Sequence, residues 1–451
     1  MPDGITRVRS ALALDQWFGW TLVFCFASIA LVDVPMPLSR NGTLEVTLAD
    51  ILGVGLWSWL AFLVVSRRWR PGSTHLAVLV AVAVFLMWFV VVEAIRVVRG
   101  DEVLQPLLVL RSTLIPVAAY LILGPSRVDN PRRALNSLVL FELALTLWHL
   151  GEWHDMRMSD FLGNSIVYAG LITMLLPANV YVASGRGTRS PSFVRMAAVL
   201  NMLAALVLPV WAGSRGVSAV ALVGILGCFV IMLGERKFTA VMVGVGFAAL
   251  VIQASIWWFN PMGSAYGMYR LVPPPSEINP AWANGGRGAL DEAQRKTALE
   301  EKGKSDAGRG DLAQASIDRI REDPLIGDGV VYFELPDDGV TQQYAAHNFV
   351  LEHINAYGAV GFVFYLLLFV TALWKAITWP VRRLSTRHTP LLALLTTAML
   401  FAFSFTQPTS LIMAIMVPYF AAIGGLLVPM TRAATAERSR VSPPRVAGDA
   451  P

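Results

Sequence analysis

Two polar residues, His347 and Asn348, stand where a long polar segment ends and an apolar helix begins, in the stretch HNFVLEHINAYGAVG over residues 347–361. Such a position is expected at a membrane surface, where an imidazole exchanges protons with water. Because an unperturbed histidine has a pKa near 6.5, it is mostly neutral at pH 7 and can accept a proton. His347 is therefore a candidate general base, and the alternative is a helix-start histidine that is simply hydrated.

A candidate anion site follows from Arg215 in the segment WAGSRGVSAV. Ser214 is a suitable N-cap for a helix that begins there, and free backbone N–H groups at a helix N-terminus attract anions. Gly213 and Gly216 would let a phosphate approach the backbone closely. The alternative is an arginine at the membrane interface whose guanidinium reaches water.

Three further arginines are weaker candidates for binding an anion. Arg111 lies inside a predicted span, roughly 12 Å below its outer end at 1.5 Å per residue. A guanidinium at that depth is expected to face a polar cavity or to pair with an acid such as Glu142. Arg309 and, less strongly, Arg287 lie in a long polar segment in which acidic residues outnumber basic ones. That segment is therefore no general phosphate-binding patch, and only particular arginines in it could serve.

Other charged residues near the ends of the predicted spans are weaker candidates for a functional role. Glu93 and Arg96 are three residues apart, which predicts that they pair with each other. Glu352 and His353 follow His347 in the same span, but helical periodicity points them away from it. Either could contact a lipid headgroup or another helix, and the sequence leaves their roles open.

The elements that must position these residues are membrane helices. The chain has 451 residues, of which 55% are hydrophobic and only 15% are charged, and its mean hydropathy is +0.57. Soluble domains carry about 25% charged residues, and charge is scarcer here because each ion inside a bilayer is costly. The chain is therefore predicted to be an integral membrane protein, and its net charge of +5 reflects cytoplasmic loops rather than nucleic-acid binding.

About twelve apolar runs are long enough to span a bilayer. Lys and Arg concentrate in the loops on the side of the N-terminus, which places both termini in the cytoplasm. The predicted fold is all-α and polytopic, with nine spans over residues 1–258, one large outer loop over 259–346 and three spans over 347–431. Residues 432–451 are predicted to form a basic, disordered cytoplasmic tail.

The large loop is predicted to contain short helices. Ala289–Lys302 has a helix-favouring composition, with Glu292 and Lys296 at a supportive spacing. A second helix is predicted over Asp311–Asp323, because Pro324 would end it. Its weak apolar stripe suits a helix lying on the membrane or on the bundle; the stripe consists of Ala313, Ile317 and Ile320.

Three separated segments resemble the O-antigen ligase and polymerase superfamily. The first is GSRG at 213–216. The second is Arg309 followed, fifteen residues later, by the P-L-x-G-x-G segment of residues 324–329. The third is the pattern H-[NSQ]-x9-G-x-x-G, which His347, Asn348, Gly358 and Gly361 match. The predicted span number and the single large outer loop also fit that superfamily.

The resemblance implies a GT-C-like glycosyltransferase of the bacterial inner membrane with its active site on the periplasmic side. It would transfer a glycan from undecaprenyl pyrophosphate to lipid A–core oligosaccharide, without a metal or other cofactor and with inversion. His347 would act as the general base, and Arg215 would stabilise the leaving pyrophosphate. Arg111 and Arg309 would bind the same phosphates, and Asn348 would orient the ring or the sugar; Ser214 and Arg287 are further binding candidates.

Three alternatives remain open at this point. One is a protein O-glycosyltransferase, although those usually carry a longer C-terminal periplasmic part than this sequence predicts. A polysaccharide polymerase of the same superfamily would use the same donor with a growing glycan as acceptor. Many such polymerases resemble one another in carrying Arg, ten residues and then Gly in the outer loop, a spacing that no arginine in 259–346 satisfies. A secondary transporter would also suit twelve spans, but it tends to show two related halves with a central cytoplasmic loop.

Overall fold

The computed structural model describes most of the helical part of the chain. The described residues are 48–67, 73–101, 104–123, 131–151, 165–185, 190–211, 215–233, 236–259, 310–337, 340–345, 348–378, 388–405, 416, 418–420 and 422–427. They include the second predicted loop helix, whereas Ala289–Lys302 and the tail over 432–451 lie outside them.

Helices dominate the described residues. In chain order they are α1 (Leu48–Val65), α2 (Ser73–Arg99), α3 (Leu104–Leu123), α4 (Pro131–Gly151), α5 (Ser165–Met174), α6 (Leu176–Ala183), α7 (Ser192–Trp211), α8 (Arg215–Ile231), α9 (Arg236–Phe259), α10 (310–322), α11 (Phe349–Ile377), α12 (His388–Ser404) and α13 (Pro418–Leu427). The predicted helical class is confirmed.

One hairpin departs from the purely helical prediction. Strand β1 (Tyr332–Asp337) pairs antiparallel with β2 (Val340–Ala345), with Tyr332 opposite Ala345. The hairpin lies inside the segment predicted to contain only helices and irregular loop. Both strands contain residue types that are enriched in β-structure, among them Phe333 and Val340.

Three of the described helices are long and apolar enough to cross a membrane: Leu76–Arg99, Ser192–Val210 and Phe349–Trp374. Further apolar helices of 10–17 residues accompany them, among them Gly216–Ile231 and His388–Ser404. These helices support a membrane protein. The count of twelve spans, the GT-C-like arrangement and the boundaries at residues 258 and 346 stay predictions.

Helices α8 and α12 pack antiparallel through glycines. A Cβ atom on Gly224 would meet Met399, and one on Gly227 would meet Leu395. At the end of α8, the carbonyl oxygen of Ile231 lies 2.9 Å from the Nδ1 atom of His388, at the start of α12. The first residue of α8 therefore lies at the same end of the bundle as the last turn of α12.

The start of α11 lies at that end too. The ring of Phe349 lies 5.3 Å from Phe401 and 5.6 Å from Phe405, both in the last turn of α12 or just beyond it. Tyr357 of α11 donates its hydroxyl to the carbonyl of Pro106 in the first turn of α3. We call this end of the bundle, to which residues 310–331 also bind, the loop end.

Candidate functional site

Asn348 caps the helix that carries the histidine signature. Its backbone is extended (φ −146°, ψ 113°), and its Oδ1 atom accepts hydrogen bonds from the backbone N–H groups of Val350 (3.0 Å) and Leu351 (3.4 Å). These donors are among those that a helix start leaves unsatisfied. One role of the second residue of the signature is therefore to fix the start of α11.

Gly358, the first glycine of the signature, kinks α11. Its φ of 70° and ψ of 173° lie outside the helical region, and only glycine adopts such a conformation without strain. A Cβ atom there would collide with the carbonyl of Leu325. The backbone N–H of Ala359, freed by the kink, donates instead to the carbonyl of Pro324 at 2.9 Å. The P-L-x-G-x-G segment is thus docked into the kink.

Arg96 holds that docked segment from the other side. Its side chain is fully buried and donates to Glu93 Oε1 at 2.6 Å. It also donates to the carbonyls of Ile326 at 2.9 Å, Gly327 at 3.1 Å and Asn355 at 3.3 Å. The predicted pairing of Glu93 with Arg96 is confirmed. Nothing in the sequence indicates that the same guanidinium also joins α2 to α11 and to a segment more than two hundred residues away.

Two glycines make this close approach possible. Gly327 has a φ of 72°, and a Cβ atom on it would collide with the carbonyl of Asn355. Gly329 also has a positive φ, 86°, and its N–H donates to that same carbonyl at 2.9 Å. Both glycines of the P-L-x-G-x-G segment therefore serve backbone packing against α11.

The predicted second loop helix is confirmed as α10, residues 310–322. Its buried face differs by one position from the predicted stripe. Leu312 and Ser316 are buried, whereas Ala313, Ile317 and Ile320 are partly exposed. The reason is that α10 lies on α11, where the hydroxyl of Ser316 accepts a hydrogen bond from the side-chain amide of Asn355 at 2.8 Å.

Helices α10 and α11 run parallel with a constant register. Leu312 packs against Leu351, and Ser316 bonds Asn355. Both contacting pairs are therefore offset by 39 positions in the chain. Both helices advance by about 1.5 Å per residue. The starts of the two helices therefore lie side by side at the loop end.

Glu352 and His353 are both fully buried, which excludes the headgroup contact that the sequence left open. The Nδ1 atom of His353 lies 2.8 Å from the carbonyl of Phe349, and its ring lies 3.9 Å from that of Tyr365. Its Nε2 atom has no hydrogen-bond partner among the described residues. The histidine is thus part of an aromatic cluster beneath the start of α11.

The structure describes the predicted anion-binding arginines to different extents. Helix α8 begins at Arg215, as predicted, although the structure describes only its backbone. Arg111 is partly buried in α3, about 10 Å from the first residue of that helix. The described contacts give Glu142 the side chain of Asn179 as its partner rather than Arg111.

The other predicted site residues lie outside the described residues: His347, Ser214, Arg287 and Arg309. In the sequence, Ser214 and Arg309 directly precede the first residues of α8 and α10, and His347 is two residues before Phe349, the first residue of α11. Within the described part of the chain, no three His, Cys, Asp or Glu side chains are grouped to hold a metal ion. The described loop-end residues thus form a hydrogen-bonded frame, and we call the first residues of α8, α10 and α11 the rim of this frame.

Comparison with known proteins adds one match. A family model described as O-antigen ligase matches residues 200–366. The matched stretch runs from the middle of α7 into the second half of α11 and contains all three segments singled out in the sequence. It supports the family assignment made from them. No curated protein matches the chain.

Proposed function

From the O-antigen ligase match over residues 200–366, we propose that this chain is a membrane glycosyltransferase of the O-antigen ligase and polymerase superfamily. It transfers a glycan from undecaprenyl pyrophosphate to a hydroxyl group of lipid A–core oligosaccharide. The active site is the rim of the loop end, on the periplasmic side of the bacterial inner membrane. Both chain termini are then cytoplasmic.

The parallel register of α10 and α11 carries this proposal. Leu312 faces Leu351, and Ser316 faces Asn355. The same offset places position 310, the first residue of α10, level with Phe349, the first residue of α11. Two segments that lie 38 residues apart in the chain would then offer an arginine and the neighbouring histidine, Arg309 and His347, to one substrate.

Arg215 is proposed as the second phosphate-binding group. It begins α8, whose first turn lies at the same end as the first turn of α11, through α12. A helix N-terminus offers free N–H groups and a positive dipole to an anion. Ser214 would supply a hydroxyl at the same point, and Arg111 would support the phosphates from deeper in the bundle.

The chemistry follows from these positions. The acceptor hydroxyl attacks the anomeric carbon while the bond from that carbon to the pyrophosphate oxygen breaks. His347 takes the hydroxyl proton, and the electron pair of the broken bond leaves on the pyrophosphate. Arg215 and Arg309 stabilise the charge that develops there, with Arg287 as a further ligand. Attack from the face opposite the leaving group inverts the anomeric configuration.

Asn348 has two roles in this proposal. Its Oδ1 atom is occupied by the helix cap, but its amide nitrogen can still donate to the His347 ring or to a sugar hydroxyl. Because the cap holds the side chain in one position, that donor is already oriented when the substrate binds. Capping and substrate orientation are therefore compatible in one residue.

Reconstitution tests the proposal. The full-length protein in liposomes is given a lipid-linked glycan together with either lipid A–core or free glycan as acceptor. We expect His347→Ala and Arg215→Ala to reduce transfer to lipid A–core by at least about a hundredfold, the usual range for a lost general base or a lost charge stabiliser. Normal transfer by His347→Ala would refute the assignment of the base.

Matched controls lie at the opposite end of the same bundle. Arg236 is the first residue of α9, as Arg215 is of α8, and His75 lies near the start of α2. Arg236→Ala and His75→Ala should leave transfer unchanged. Elongation of free glycan with no transfer to lipid A–core would instead identify the polymerase of the same superfamily. Glycan movement across the membrane without any bond formation would identify a transporter.

A further inference from the structure

A polar cluster lies in the middle of the helix bundle, away from the loop end. Its centre is Glu142, which is 1% exposed and lies about 14 to 16 Å from either end of α4 at 1.5 Å per residue. In a hydrocarbon layer about 30 Å thick, this is close to the midplane. An acid at that depth is a functional-site candidate by default.

The two amides of the cluster have used all their N–H groups. The Nδ2 atom of Asn179 donates to Glu142 Oε2 at 2.7 Å and to the Leu175 carbonyl at 3.1 Å. The Nδ2 atom of Asn201 donates to the Val139 carbonyl at 2.9 Å and to Asn179 Oδ1 at 3.2 Å. Because the Val139 acceptor is a backbone carbonyl, the Asn201 side-chain amide must point its nitrogen, and not its oxygen, toward Val139.

The two hydroxyls are used as well. Thr146 donates to the backbone carbonyl of Glu142 at 2.9 Å, and Tyr168 donates to the Thr146 hydroxyl at 2.7 Å. Tyr168 is also the titratable side chain that α5 brings to this group. Two buried oxygens nevertheless have no donor among the described residues, Oε1 of Glu142 and Oδ1 of Asn201. The Asn201 amide adjoins the Glu142 carboxyl.

The cluster therefore lacks a hydrogen-bond donor between two acceptor oxygens. Each unpaired acceptor in an apolar interior destabilises the fold, and an ionised carboxylate without a cationic partner is more costly still. Glu142 forms no ion pair with any described residue. A single proton on Oε1 removes the charge, and the resulting O–H can donate to Asn201 Oδ1. One atom then satisfies both orphaned oxygens.

We propose that Glu142 is a proton-binding site at the membrane midplane, occupied by a proton taken from water. The neutral acid donates to Asn201 and accepts from Asn179, and so links α4, α6 and α7. Helix α7 leads directly to the segment that precedes Arg215, so the proton also fixes the helix before that residue. This inference does not depend on the proposed transferase activity.

Infrared spectroscopy of the full-length protein in nanodiscs tests the proposal. The difference spectrum between the wild-type protein and Glu142→Gln at neutral pH should show loss of a protonated carboxylic-acid carbonyl band equal to one group per chain. Glu93→Gln is the matched control. Glu93 bonds Arg96 at 2.6 Å, so this change should remove carboxylate bands and leave the acid band in place.

A second variant keeps the test decisive if Glu142→Gln does not fold. Asn201→Leu removes the acceptor, so the acid band should remain and shift to higher frequency as its hydrogen bond is lost. Carboxylate bands in place of the acid band in the Glu142→Gln difference spectrum would overturn the proposal. The proposal would also be overturned if sodium, but not choline, raised the Tm of the wild-type protein and not that of Glu142→Gln. A cation, rather than a proton, would then fill the site.

Discussion

Replacing Arg96 with methionine should release the docked segment 324–329 while leaving the membrane helices assembled. Methionine keeps much of the apolar bulk of the side chain but donates no hydrogen bond. The change removes this donor from the carbonyls of Ile326, Gly327 and Asn355, and it removes the cationic partner from the Oε1 atom of Glu93. The perturbation is confined to one fully buried guanidinium.

The expected magnitude follows from those contacts. Removing one partner of a buried ion pair costs about 3–5 kcal/mol, and each buried carbonyl left unpaired adds about 1–3 kcal/mol before local relaxation. Because these contributions overlap, we take about 3–5 kcal/mol for the whole change. At about 1.4 kcal/mol per tenfold, the open form of the segment should become roughly a hundred to several thousand times more populated.

Trypsin provides the assay because two suitable arginines lie beside the segment. The side chain of Arg319 is 44% exposed and that of Arg321 is 71% exposed. When reclosing is fast, the cleavage rate reports the population of the open form. Cleavage at these two arginines should accelerate at least about a hundredfold in Arg96→Met.

Arg99→Met is the matched control. Arg99 also binds this region, through an ion pair with Asp323, but its side chain is 47% exposed. Exposed pairs contribute about 0–1 kcal/mol, so cleavage should rise by less than about tenfold. Equal cleavage rates in the Arg96 and Arg99 variants would refute the argument that the buried guanidinium holds the segment. The double variant Glu93→Gln/Arg96→Met should be cleaved more slowly than Arg96→Met, because it removes the buried negative charge that Arg96 balanced.

Two further predictions concern the histidine signature. Gly358→Ala should lower the free energy of unfolding by more than about 2 kcal/mol in thermal unfolding, because φ is positive and the Leu325 carbonyl blocks a Cβ atom. The control is Gly246→Ala, in open space on α9, which should be neutral or stabilising in the same measurement. Asn348→Ala should cost about 1 kcal/mol through the lost cap, whereas Asn348→Asp should keep the Tm. Loss of glycan transfer in Asn348→Asp at an unchanged Tm would show a substrate role beyond capping, and full transfer would limit the residue to the cap.

The sequence predicted what depends on local spacing. Glu93 and Arg96 pair because three residues on a helix bring side chains together, and α10 ends where Pro324 stops a helix. The start of α8 at Arg215 was equally predicted from Ser214, a residue type that favours the N-cap position. Each of these predictions needed only a few consecutive residues.

The rest could not be predicted because it depends on contacts between distant segments. Arg96 bonds carbonyls 230 and 231 residues later, and a backbone carbonyl leaves no mark in the sequence. The buried face of α10 shifted by one position because Ser316 had a polar partner on α11, where an apolar stripe predicts none. The β-hairpin over 332–345 was not predicted, because helical periodicity indicates no strand there.

The G-x-x-G part of the histidine signature is explained by architecture rather than by contact with a substrate. Gly358 admits the Leu325 carbonyl, and a Cβ atom on Gly361 would meet Trp88 of α2 and Tyr357. Both glycines thus bring α11, the docked segment and α2 into contact below the rim. Catalysis that depends on positioning loses rate when reacting groups are displaced by as little as about 1 Å. Arg96→Met should therefore reduce glycan transfer even though Arg96 is buried beneath any substrate. If trypsin cleaves beside segment 324–329 freely in this variant while transfer is unchanged, the frame does not position the residues at the rim.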